Sequence, residues 1–236
     1  METPLVIFYH IYAVNNYREI VNDQISKVLF SGLYNRCYKM YIGVIGELSE
    51  FEFLKNSFSH PMYSRMNFIH FTENFEERST LKLIQSYSDN PFNNPDTQIF
   101  YFHTKGVSKP NALNTMWRTH ADAHNILKWE YHLEALLFYD VSGINLRTNT
   151  WMGYYPHYSN NYWWTTSNYI KTLNTNYLTD TNRFMGEFWI GSSNVKGACL
   201  FSENSFYQNS AADKDMTVED FFISNYVKNT SHYITL

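Results

Sequence analysis

The 236-residue sequence predicts an α/β fold with a mostly parallel central sheet. Three observations carry this expectation. From residue 5 to residue 106, short apolar runs alternate with segments of helical period, the pattern of successive β-α-β units with right-handed crossovers. The apolar, aromatic run Ile99-Phe100-Tyr101-Phe102 in TQIFYFHTKG stops abruptly at His103, Thr104, Lys105 and Gly106. A buried strand that delivers polar, cationic and flexible residues at its carboxyl end is the arrangement in which an open α/β sheet forms a ligand crevice. After Gly106 the pattern changes to a long helical stretch and an aromatic, Asn-rich loop, so one domain with two halves is expected, about 1–106 and 107–236.

In chain order, Leu5 to Tyr9 is a buried-strand run with His10, Ile11 and Tyr12 as its exit. NNYREIVNDQISKVLF follows, with Tyr17, Ile20, Val21, Ile25, Val28 and Leu29 at helical spacing and Asn16 with Glu19 as a capping pair. Lys39 to Ile45 is a second strand closed by Gly46, Phe51 to Leu54 a short helix, and Met66 to Phe71 a third strand. Thr80 to Tyr87 is a helix with Ser79 as its cap, and SDNPFNNPD is a turn cluster leading into the central strand. Met116 to Phe138 is expected as one long helix whose buried stripe is Trp117, Ala121, His124, Tyr131, Ala135 and Phe138. Val141 to Leu146 is another strand. Thr148 to Asn161 is a loop, Tyr162 to Thr166 a short strand and Asn168 to Leu173 a helix. A strand near Ala198 to Phe201 and a last helix over Thr217 to Val227 complete the chain.

Composition narrows the function classes. A net charge of -4 disfavours a grip on nucleic-acid phosphates, since nothing supplies a broad basic face. An aromatic content of 19% fills a core by default and mildly favours a carbohydrate or nucleotide ligand, because flat rings make platforms for sugars and bases. Two cysteines, Cys37 and Cys199, do not make a disulfide framework and fit a reducing, cytoplasmic setting. No apolar run reaches the roughly 18 residues of a membrane span, and METPLVIFYH lacks the basic region and cleavage site of a signal peptide. Without an export signal the Asn229 sequon reads as chance. There is no GxGxxG fingerprint and no P-loop, which disfavours NAD and ATP-type phosphate cradles.

The candidate donor-side residues cluster at strand ends. Lys105 can neutralise a diphosphate as a point charge, and His103 can serve as a hydrogen-bond donor or a metal ligand. The alternative for His103 to Gly106 is a polar loop with a surface lysine. His10 and Tyr12 leave the first strand where a base would sit, Tyr12 offering a stacking face; a core histidine and tyrosine are the alternative. Arg78 and Thr80 stand at a helix N-terminus suited to a base or phosphate, or are an ordinary first turn. Arg118 reaches the diphosphate or makes a surface salt bridge. On the acceptor side, His157, Asn160, Asn161, Trp163 and Trp164 lie in PHYSNNYWW. Asn amides match sugar hydroxyls, and tryptophan offers a flat face to a pyranose. Adjacent strand residues point to opposite faces, so at most one of the two tryptophans meets the sugar. Glu187, in FMGEFWIG, is a carboxylate inside an aromatic run, suited by partial burial to general-base work; a structural carboxylate bonded to a turn or to Arg183 is the alternative.

Together, FYHIY, YFHTKGVS, WR, VSGINL, HYSNNYWWTTSNYI and FMGEFWIG resemble the small GT-A glycosyltransferases of large DNA viruses of algae, such as the chlorella-virus glycosyltransferase domain, and of bacterial polysaccharide clusters. The resemblance runs over nearly the whole chain and rests on the order and spacing of the motifs. It implies a GT-A-like fold, with a Rossmann-like nucleotide-binding half and an acceptor-binding half. It also implies a UDP- or similar nucleotide-sugar donor and a glycan or glycoprotein acceptor. His103 to Gly106 match the donor site, Asn161 to Trp164 the acceptor region and Glu187 the chemistry. The chain departs from the family in lacking Asp-x-Asp, the motif that holds a divalent metal, manganese or magnesium. With Lys105 in that place, weak metal dependence is expected. The Asn- and Tyr-rich composition fits an AT-rich genome, viral or bacterial, and host cytoplasm if viral. Two rivals stand beside this reading. A non-catalytic carbohydrate-binding protein on the same fold needs neither Lys105 nor a nucleotide pocket. A nucleotidyltransferase needs a Gly-rich, basic loop after the first strand, which AVNNYRE does not supply.

Overall fold

The structure, a computed structural model, describes residues 2–73, 76–147, 156–182 and 184–201. Most of the loop expected from Thr148, Arg183, the helix expected over Thr217 to Val227 and the Asn229 sequon lie outside the described residues.

Seven strands form one sheet in the order β3-β2-β1-β4-β8-β5-β9. Their ranges are β1 Leu5–Tyr12, β2 Lys39–Ile45, β3 Met66–Phe71, β4 Gln98–His103, β5 Val141–Ile144, β8 Trp163–Thr166 and β9 Gly197–Phe201. β1 is parallel to both β2 and β4, and β2 is parallel to β3. β8 runs antiparallel to β4 and to β5, and β9 is parallel to β5. Strands from both halves of the chain therefore share one sheet. β6 Leu146–Arg147 and β7 His157–Tyr158 pair as a separate small ribbon.

Both faces of the sheet are covered, which is why β1 and β4 read as continuous apolar runs. Leu5, Ile7, Tyr9 and Ile11 point into one core with Phe100, Phe102 and Trp164. Val6 and Phe8 point into the other with Ile99, Tyr101 and Trp163. The first core is closed by helices α1 Tyr17–Phe30, α2 Leu33–Arg36 and α3 Leu48–Ser57, with Ala121 and Ile126 from the later helices. The second is closed by α4 Arg78–Asp89, α7 Ser167–Ile170 and α8 Met185–Phe188. Trp164 stacks on Phe100 at 4.2 Å between ring centroids, and Trp163 lies 4.9 Å from Tyr101. Burying rings of this kind contributes roughly 1.5–3 kcal/mol each.

Three local expectations need correction. The expected helix Met116 to Phe138 is two helices, α5 Ala112–Asn125 and α6 Trp129–Ala135. At the break, the Trp129 indole donates to the Ser31 carbonyl at 3.0 Å. His132 turns inward to contact Ser142 Oγ at 2.9 Å and the His124 carbonyl at 3.0 Å. The phase of the stripe shifts as a result: Ala121 is buried, but Tyr131 and Phe138 are exposed. Asn16 precedes α1 without a side-chain capping bond. Helix α4 starts at Arg78, so Ser79 lies inside it and Glu77 takes the cap position.

Candidate functional site

The parallel strands β1 and β4 end side by side, with His10 paired to His103. Beyond them the loops are cross-tied. The Thr104 amide donates to the His10 carbonyl at 3.0 Å, and the Tyr12 amide donates to Thr104 Oγ1 at 3.0 Å. Asn15, at φ +53°, donates from its side chain to the Val107 carbonyl at 2.8 Å. Gly106 takes φ +80°, and a Cβ there would lie 2.6 Å from Asn114 Cβ, so the turn carrying Lys105 requires glycine.

A buried polar network holds β4 from behind. Tyr9 donates to Gln24 Oε1 at 2.7 Å, and Gln24 Nε2 lies 2.8 Å from Asp122 Oδ1 and 2.9 Å from the Tyr162 hydroxyl. Tyr162 donates to the His103 carbonyl at 2.6 Å. Arg118 is buried and donates to the Lys105 carbonyl at 3.0 Å. It braces the Lys105 turn, which corrects the surface salt bridge offered for it.

What this scaffold presents is a cluster on the face covered by α4 and α8. Lys105 is half-buried, and its ammonium makes no ion pair within 4 Å among the described residues. Glu187 is half-buried on α8, and its carboxylate makes no hydrogen bond or ion pair among the described residues. The charges of both act on Glu77, which sequence reasoning missed. Its side chain is 13% exposed, 3.9 Å from His103 Nδ1, and accepts a hydrogen bond from the Tyr101 hydroxyl at 3.3 Å. Burial, reinforced by the charge of Glu187, pushes the Glu77 carboxyl up to about 7 against the pull of Lys105. Gly186 permits this approach of α8, since a Cβ there would lie 3.2 Å from Glu77 Oε1. Glu77 has no local sequence signal: it sits in ENFEERST among other acids, and only the packing of α8 against α4 singles it out.

The other sequence-based candidates divide. Tyr12 is half-buried at the exit of β1, packed against the first core. His10 is buried and contacts Thr80 Oγ1 at 2.9 Å, and Thr80 is fully buried. This pair ties β1 to α4 and turns neither side chain to a ligand. Thr104 is likewise buried and spent on the Tyr12 amide. The acceptor expectation meets its main correction here. Trp163 and Trp164 are both 0% exposed, one in each core, so neither offers a face to a sugar. Asn161 is also fully buried, its Oδ1 accepting from Trp163 Nε1 at 2.9 Å, and Asn160 is buried with its carbonyl 2.8 Å from His103 Nε2. Both asparagines adopt positive φ, which explains their place in the turn before β8. His157 packs edge-on against Phe188 at 4.8 Å.

His103 keeps Nδ1 as its one candidate ligating atom. Its Nε2 is taken by the Asn160 carbonyl, and among the described residues no three His, Cys, Asp or Glu side chains come together to hold an ion. Both cysteines are free thiols. No helix among the described residues is long and apolar enough to cross a membrane. An open depression at the opposite end of the strands contains Arg36 and Arg65, but the protein itself occupies both. Arg36 pairs with Glu2 at 2.8 Å, and Arg65 donates to the carbonyls of Tyr34, Asn35 and Cys37.

A family model described as "Domain of unknown function (DUF8361)" matches residues 8–178, from β1 through the segment after α7. The chain belongs to that family. No curated protein matches the chain significantly. Among solved structures, HddC from Yersinia pseudotuberculosis is similar at 7% identity over 88% of this chain and 98% of that one, with a TM-score of 0.50. A 4-diphosphocytidyl-2C-methyl-D-erythritol synthase is similar at 10% identity over 97% of this chain and 100% of that one, with a TM-score of 0.46. At such identities the likeness is one of fold. That fold is the expected one, GT-A-like α/β with a Rossmann-like, mostly parallel central sheet.

Proposed function

We propose that this protein is a glycosyltransferase that moves a sugar from a nucleoside-diphosphate sugar, a UDP-sugar, to a hydroxyl on a glycan. The observation that carries the reading is a lysine and two carboxylates gathered at the carboxyl ends of parallel strands, where α/β sheets bind their ligands. Lys105 supplies positive charge for the diphosphate. Tyr12 offers a ring to the base at the exit of β1. Glu187, unpaired and half-buried, is the general base that takes the proton of the acceptor hydroxyl. That hydroxyl oxygen then attacks the anomeric carbon, the bond to the diphosphate oxygen breaks, and the nucleoside diphosphate leaves with the electron pair. Configuration inverts. The order of motifs that resembles viral and bacterial GT-A enzymes supports the same assignment, with residues up to about Gly106 serving the donor and the remainder the acceptor.

The rival carbohydrate-binding reading loses its main support, because it relied on tryptophans that are buried. The deciding experiment incubates the protein with UDP-, GDP-, CMP- and dTDP-sugars and glycan acceptors, and measures release of the nucleotide. Acceptor-stimulated release from one donor class is expected. Absence of release, together with absence of nucleotide binding at millimolar concentration, refutes the reading. Pyrophosphate release from a nucleoside triphosphate and a sugar phosphate would replace it with nucleotidyl transfer.

A further inference from the structure

Glu77 has no part in the mechanism so far, yet the charges of both Lys105 and Glu187 act on it. The charge count at this point is informative. If all three groups are ionised, the cluster carries a net negative charge and repels a diphosphate. With one proton on Glu77, Lys105 and Glu187 balance, and an incoming anion meets a neutral site with a donor in it.

The geometry favours that proton independently of the charge count. His103 Nε2 lies 2.8 Å from the Asn160 carbonyl oxygen, which can only accept, so Nε2 carries the ring hydrogen. Burial holds the ring well below its ordinary pKa, so it is neutral and Nδ1 bears a lone pair. That lone pair faces Glu77 Oε2 at 3.9 Å. A lone pair beside a carboxylate is repulsive, and beside a carboxylic acid it is not. The remaining groups around Glu77 are Tyr101, which donates to Oε2, the Asn161 amide, Lys105 and Glu187. Asn161 Nδ2 is buried and closes no hydrogen bond of normal geometry, although its dipole helps to stabilise the ionised carboxylate. The neighbouring Arg78 guanidinium donates to the Asp180 carbonyl. Of the described groups whose charge acts on Glu77, Lys105 is the cation, and Glu187 opposes it.

We propose that Glu77, in its protonated form, donates a hydrogen bond to the diphosphate of a donor held at Lys105, so that donor binding draws a proton into the site. The assignment rests on the glycosyltransferase reading above and deepens it. Two carboxylates in one cluster take two roles, Glu187 as base and Glu77 as hydrogen-bond donor. The proton comes from solvent on binding and stays on Glu77, with no covalent change at that residue. A carboxylic acid thereby serves the diphosphate beside Lys105 where related folds place a cation.

Calorimetry with UDP tests this directly. The terminal phosphate of UDP loses its last proton near pH 6, so measurements between pH 7.5 and 9 see only the protein. At pH 8, titrations in two buffers of different ionisation enthalpy should show uptake approaching about one proton per UDP bound. The dissociation constant should rise towards about tenfold per pH unit above pH 8. The E77Q variant keeps an N–H donor but cannot titrate. It should bind UDP with no proton uptake and no pH dependence, at a melting temperature no lower than that of the wild type at pH 8. UDP binding without proton uptake, or uptake that persists in E77Q, overturns the proposal and leaves the glycosyltransferase reading intact. Failure of UDP, GDP, CDP and dTDP alike to bind overturns both. If E77Q does not fold, E187Q serves instead. Removing that neighbouring charge loosens the proton on Glu77, so the fall in affinity should begin at lower pH, and an unshifted fall overturns the proposal.

Discussion

Three buried histidines and the half-buried His124 should make this fold acid-labile well above the pH at which its surface carboxylates titrate. Burial is the leading cause in each case. It lowers His10 to about 3, His120 and His132 to about 4, and His124 to about 2, the last with help from neighbouring cationic groups. In the unfolded chain each returns to about 6.5. The unfolded state therefore binds protons that the folded state refuses, and stability falls as pH drops below about 6.5. Glu77 acts in the opposite sense. Its folded value of about 7 lies above the ordinary carboxyl value of about 4.5, so the folded state gains stability as pH falls between those two values. From pH 5.5 to 4.5, four protons favour the unfolded chain and one favours the folded chain, a net of three. At about 1.36 kcal/mol per proton and pH unit, stability should fall by about 4 kcal/mol over that single unit. This is a large share of the roughly 5–15 kcal/mol available to a domain. His103, also lowered by burial, adds to the loss. Urea unfolding followed by circular dichroism at pH 7.5, 6.5, 5.5 and 4.5 gives the stability at each pH, and its slope gives the net proton count. Unfolding free energies that agree within about 1 kcal/mol from pH 6.5 to 4.5 would refute the placement of these rings in the core.

The remaining predictions concern chemistry and packing. Glu187→Gln keeps the size of the side chain but cannot take a proton, so turnover should fall roughly 10²–10⁴-fold; donor affinity should be no weaker and the melting temperature unchanged. A folded variant with near-wild-type turnover would remove Glu187 from the chemistry and favour a retaining mechanism. Most activity should survive a chelator, because a cation beside Lys105 adds repulsion; activity that vanishes on chelation and returns with manganese would show otherwise. Trp164→Ala should cost roughly 3–5 kcal/mol in urea unfolding, since the ring is fully buried against Phe100 and His132. A variant of normal stability that loses only acceptor binding would instead restore the sugar-platform role.

The strands were legible because their signals are local. β2 and β3 span the residues expected, and the central run carries its polar exit one residue beyond the apolar stretch, as a strand buried on both faces requires. Lys105 and Glu187 stood out as candidates for a related reason: each sets a charge just after, or inside, an apolar and aromatic run. The break between α5 and α6 was not legible. No glycine or proline marks it, and the turn is held by contacts of Trp129 and His132 with Ser31 and Ser142, which lie elsewhere in the fold.

The amino-acid sequence by itself determined the α/β alternation, the parallel order of the first strands and the polar crown at the end of β4. These follow from periodicity and from the chemistry of adjacent residues. Only the tertiary structure decided which polar residues face a ligand and which hold the frame. His10, Thr80, Thr104 and Asn161 read as ligand groups, but packing turned them inward to hydrogen-bond strands, turns and neighbouring side chains. Glu77 read as one acid among several, yet the close approach of Gly186 on α8 set it beside Glu187 and Lys105. Burial and charge proximity are properties of residues distant in sequence, and for that reason no local pattern encodes them.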